Sequence, residues 1–214
     1  MRISGCIHPS PQAGRALQEP MQRPNLAKHI EPVLTALATP LAKAGVSAPA
    51  LTLVGFAAAI GAVFALRGDV QWAAFGLFAV TWLAGGLAAP LSMLTYGGKA
   101  GVFLDGALMP LASAALVLGF ALADPARALA AIFLLLAFAV VLAVLAAMAK
   151  IGARVGTSGM LEAWGPRGWA TGAVLLLACA LPEWFSIVAY AAGVMGFLAA
   201  GMLAAATLAQ FRGK

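Results

Sequence analysis

Along the chain the apolar residues gather into long runs at Ala48–Leu66, Val70–Pro90, Val102–Ala123, Ala126–Ala149, Trp169–Leu181 and Trp184–Gln210, separated by short polar breaks. A helix lying on a soluble core shows an apolar stripe and a polar opposite face. These runs are apolar all round. Most of them approach the length of about 20 residues that a helix needs to cross a hydrocarbon layer of about 30 Å. The pattern predicts an all-α integral membrane bundle of six transmembrane helices, with Trp169–Leu181 the shortest and in need of upstream extension. Turn chemistry marks the breaks, at Arg67-Gly68-Asp69, Gly97-Gly98-Lys99, Asp124-Pro125, Gly165-Pro166-Arg167 and Pro182-Glu183.

The pattern changes ahead of the first run. Leu26, Ile30, Val33, Leu34, Leu37 and Leu41 recur at three- and four-residue spacing among Lys28, His29, Glu31 and Lys43. That periodicity predicts an amphipathic helix in the membrane interface, divided by Pro32 and Pro40 into two short pieces. Residues 1–24 hold Pro9, Pro11, Pro20 and Pro24 and no apolar segment of the secretory kind, and read as a disordered cytoplasmic leader in which Met21 is an alternative start. The expected division is therefore leader 1–24, interfacial helix 25–45 and transmembrane domain 46–211.

Composition agrees with a lipid solvent. Apolar residues make up 63% of the 214 and charged residues 9%, against roughly 25% charged in soluble domains, and mean hydropathy is +0.98. The net charge of +6 comes from basic residues scattered between apolar runs, which excludes a nucleic-acid-binding stripe and points to membrane lipids as partners. Of the 13 Lys and Arg, all but Arg67 and Arg127 fall on one side when the spans alternate. By the positive-inside rule that side is cytoplasmic, so a multi-pass protein of the inner cell membrane is expected, with both termini in the cytoplasm. Trp72, Trp164, Trp169 and Trp184 stand near span ends and are expected to anchor there. Glycines and alanines within the spans allow helices to approach closely, in the bundle and in a homodimer. Cys6 and Cys179 lie in different environments and form no disulfide framework.

Ionisable groups inside a membrane cost about 2.5 to 3.5 kcal/mol or more, so each is a functional suspect. Asp105, about one turn into the third span after Gly101-Val102-Phe103-Leu104, is the one that qualifies. Its structural alternative is an anion stabilised by a helix N-terminus and Lys99.

The stretch from Trp82 to Met109, within a plan running from Asn25 to Phe211, resembles the CDP-alcohol phosphatidyltransferases of phospholipid synthesis. Their signature is D-x2-D-G-x2-A-R followed by G-x3-D-x3-D, and its aspartates hold a divalent metal against the CDP pyrophosphate. Gly45-Val46-Ser47 entering the first span, and Gly159 and Glu162 in the fourth-to-fifth loop, are further points of similarity. Gly86, Ala89, Gly101 and Asp105 match the signature. Trp82, Gly85 and Met109 stand where three of its aspartates would be, and Pro90 replaces its arginine. The resemblance implies Gly86, Ala89 and Gly101 as positions that would face a CDP-linked lipid or nucleotide, and Asp105 as the surviving metal ligand.

A cation gripping a diphosphate needs several hard oxygen ligands, and one carboxylate supplies too few. The expectation is a degenerate member, with no catalytic residue and no cofactor, in which Mg²⁺ or Mn²⁺ would matter only if the ancestral activity survived. Two alternatives stand beside it: an active transferase with Glu162 as a relocated ligand, and a non-enzymatic partner or regulator of an active relative. A transporter is a further idea, disfavoured by the scarcity of polar residues within the spans.

Overall fold

The computed structural model describes residues 36–95, 98–151, 164–166 and 168–212. The leader and the first part of the expected interfacial helix, with Lys28, His29, Glu31 and Pro32, lie outside the described residues, as do Arg154, Gly159, Glu162 and Arg167. Among the described residues the chain is all-α, with no strand. Its helices are α1 (residues 36–43), α2 (Ala48–Arg67), α3 (Gln71–Leu94), α4 (Gly98–Ala123), α5 (Ala128–Lys150), α6 (Trp169–Ala180) and α7 (Phe185–Arg212).

Among the described residues five segments are long and apolar enough to cross a membrane: Ala48–Arg67, Gln71–Ser92, Phe103–Ala123, Pro125–Lys150 and Pro182–Ala209. The chain is thus a multi-pass helical membrane protein. Large apolar side chains such as Phe64, Phe103, Leu129 and Ile187 face outward, as a lipid solvent permits. Inside, Phe78, Phe120, Leu134 and Phe185 join a common core, and the rings of Phe120 and Phe185 stack at 4.3 Å.

Local sequence explains the ends of these helices. Gly45, at φ +77°, closes α1: its N–H donates to Ala42 O and the N–H of Val46 reaches back to Leu41 O. Ser47 then caps α2, its side chain accepting from Ala50 N at 3.4 Å. Pro40 does not divide the interfacial segment as expected. It lies inside α1, where its carbonyl still accepts from Ala44 N at 3.0 Å, because proline removes one donor and leaves its own acceptor intact. The buried Ala38 of α1 packs with Ala48 and Leu91, so this helix seats on the ends of α2 and α3.

Small residues bring α2 and α3 together. A Cβ placed on Gly55 would lie 2.8 Å from Ala84 Cβ, and Thr81 Oγ1 donates across the gap to Gly55 O at 2.8 Å. Lipid offers no hydrophobic drive for helix association, so such close contact and interhelical hydrogen bonding hold the pair.

The expected fifth span is a shorter helix among the described residues. α6 has 12 residues, a length of about 18 Å at 1.5 Å per residue, which is short of a full span. Its depth follows from its neighbours: Ser113 Oγ donates to Pro166 O at 2.9 Å, Trp82 packs on Gly172, and Gly196 approaches Trp164 O. Trp82, Ser113 and Gly196 each stand at the middle of their own span. α6 therefore starts near mid-depth and runs only to the end where Pro182–Trp184 turns the chain into α7. Gly165, Pro166 and Gly168, ahead of it, are buried, and non-helical backbone survives at such depth only when protein surrounds it and satisfies its carbonyls.

Candidate functional site

The positions singled out by the signature lie on α3 and α4, which run antiparallel from the connection near residues 95–98. Asp105, close to the start of the Phe103–Ala123 span, is 7% exposed. Gly86 is exposed on the outer side of α3. Ala89 and Gly101 belong to α3 and α4, and their surroundings lie outside the described residues.

Two of the departing positions, Gly85 and Met109, are brought into contact. A Cβ on Gly85 would collide with Met109 Cε and lie 3.0 Å from its sulfur, so the methionine side chain fills the space beside the glycine. Trp82, one turn away on α3, lies against Gly172 of α6, where any Cβ would strike the indole ring. Pro90 and Pro110 are accommodated within α3 and α4. The zone where two helices would gather carboxylates is instead a contact of indole, thioether and glycine.

Chemically this zone is unsuited to a hard cation. Mg²⁺ and Mn²⁺ take oxygen ligands. Beside Asp105 the corresponding positions offer a tryptophan, a glycine and a methionine. Among the described residues no three His, Cys, Asp or Glu side chains gather in a group that could hold a metal ion. The Mg²⁺ or Mn²⁺ implied by the resemblance therefore does not fit the residues present.

Sequence reasoning overlooked the polar groups at mid-depth. Thr171, in the first turn of α6, is 1% exposed with no hydrogen-bond partner for its hydroxyl, and Ser113 is engaged by Pro166. The signal available was a hydroxyl residue at the centre of an otherwise apolar run. Trp164, expected as an interfacial anchor, packs against the core, whereas Trp72 is 76% exposed at the start of α3 in keeping with an anchoring role. Comparison with known protein families, with curated proteins and with solved structures gives no match to this chain.

Proposed function

We propose that this protein is a non-catalytic member of the CDP-alcohol phosphatidyltransferase plan, a membrane bundle in which packed apolar side chains have replaced the metal pocket. The observation that carries this reading is the seating of Met109 against Gly85, which joins two positions of the signature and leaves neither with an oxygen ligand. Burial of Asp105 on the same helix as Met109 supports the common origin of the site. A methionine also cannot take the proton of an acceptor hydroxyl, and general-base help is commonly worth about 10² to 10⁴ in rate.

Cytoplasmic termini belong to the same proposal. Arg67 and Arg127 line one cavity and so share one end of the bundle, while Lys99, Lys150 and Arg212 stand at the far ends of α4, α5 and α7 and Lys43 just ahead of α2, so Lys and Arg are more numerous at that other end. The positive-inside rule makes the lysine end cytoplasmic.

The test is an assay of the purified full chain with CDP-diacylglycerol, Mg²⁺ or Mn²⁺ and a panel of alcohol acceptors. We expect no metal-dependent CMP release above a protein-free control, and none altered by Asp105→Asn. Robust release that Asp105→Asn abolishes would overturn the proposal; loss in Glu162→Gln as well would establish the relocated-ligand alternative.

A further inference from the structure

Among the described residues, polar side chains line open cavities at the opposite end from the lysines. Three connections meet there, α2 to α3, α4 to α5 and α6 to α7, and they border two adjoining open cavities of about 340 and about 360 Å³. Gln71, Arg127 and Pro182 line both cavities. Glu183 and Trp184 belong to the first, and Arg67, Asp69 and Asp124 to the second. Volumes of this order suit a small polar group.

Arg127 is the organised element of this mouth. Its side chain is 22% exposed, and its Nε lies 3.2 Å from Asp124 Oδ2. Asp124 is itself fixed, because its Oδ1 accepts from Ala126 N at 3.0 Å as the cap of the turn Pro125–Arg127. A guanidinium held through Nε keeps its two terminal nitrogens for another partner, and their fork matches the oxygens of a phosphate. The carboxylate of Glu183 lines the same cavity beside Trp184, whose ring face suits an ammonium.

Asp69 is a second sign of selection at this mouth. It has φ +57° and closes α2, with its N–H donating to Leu66 O and the N–H of Val70 donating to Ala65 O. Glycine is the usual residue in that left-handed position, and a negative charge opposes the dipole at a helix C-terminus. An aspartate there is unfavourable for the helix and supplies a carboxylate to the second cavity.

The level of the mouth in the membrane identifies its source of ligand. Trp72 and Trp184 are both exposed beside it, and such rings sit at the height of lipid headgroups. The abundant molecule at that height carrying phosphate and, in zwitterionic lipids, an ammonium is the phospholipid itself.

We propose that this mouth binds the headgroup of a zwitterionic phospholipid bearing a primary ammonium, with its phosphate on Arg127 and its ammonium on Glu183. The inference is independent of any loss of catalysis at Met109. It concerns the other end of the bundle.

The test uses the full chain, purified and exchanged into bilayer discs of equal phosphatidylethanolamine and phosphatidylglycerol, with retained lipid counted by native mass spectrometry. The expected result is retention of phosphatidylethanolamine over phosphatidylglycerol by about tenfold, the scale of a charge-assisted hydrogen bond. Arg127→Gln is expected to lower retention of both lipids, and Glu183→Gln to remove the preference while leaving phosphate binding. Should Arg127→Gln fail to fold, the double variant Arg127→Gln with Asp124→Asn removes the ion pair as a unit and must show the same loss. Equal retention of the two lipids by the unmodified protein, or a preference unchanged in Glu183→Gln, would overturn the proposal. Tighter binding of free phosphoethanolamine than of the intact lipid would overturn the assignment to the membrane.

Discussion

The two ends of this bundle treat polar groups in opposite ways. Toward one end Asp105 is buried on α4, one turn from Met109, whose side chain packs on Gly85 of α3. At Arg127 the charged side chains come from connecting turns, pair partly with one another, and line open cavities. The difference lies in what positions the groups: rigid helices pressed together by glycine at one end, and turns held by capping at the other. Among the described residues, the charged side chains that line open cavities belong to the second end.

That contrast can be broken most forcefully by Met109→Asp. It would place a second carboxylate one helical turn from Asp105, at an expected cost of about 2.5 to 3.5 kcal/mol or more, read as a fall in thermal stability in detergent. Recovery of that stability on adding Mn²⁺ would mean that the closed end still accepts a metal. Next in size, Gly172→Ala is expected to destabilise by about 1 to 3 kcal/mol, because its Cβ meets the rigid indole of Trp82. Combining it with Trp82→Leu should restore much of the loss, and failure to do so would remove the packing explanation. Thr81→Val takes away the hydrogen bond to Gly55 O and should cost about 0.6 kcal/mol, at most about 1.7. Smallest of all, Glu183→Gln at the open end should change stability by no more than about 0.5 kcal/mol while altering lipid preference. A large loss of stability there would make the mouth a structural feature like its opposite.

Much of this architecture was legible in the residues. The long spans follow from length and uniform apolarity, and both the cap at Ser47 and the turn at Asp124-Pro125 carry their usual chemistry. α6 was harder to read, because its depth depends on Ser113, which stands 53 residues away from Pro166 in the chain. A 12-residue apolar run beside Gly165-Pro166 gives no local sign of whether it starts at a surface or in the interior. The interfacial segment is hard to read for a related reason, since Pro40 has the look of a boundary and the helix passes through it. For the proposed site, the identities of Trp82, Gly85 and Met109 are plain in the sequence. Their packing is not, because the seating of Met109 on Gly85 and of Trp82 on Gly172 arises only when α3, α4 and α6 are assembled.

The brevity of α6 also bears on how the polypeptide is made. A stretch of 12 apolar residues is too short to stop in the translocation channel by itself. It has to wait for the 28 residues of α7, joined to it through Pro182–Trp184, and the two must enter the bilayer as one hairpin. A nascent chain ending before Phe185 would therefore leave Trp169–Ala180 outside the hydrocarbon, so that the insertion of α6 is settled only when α7 emerges from the ribosome.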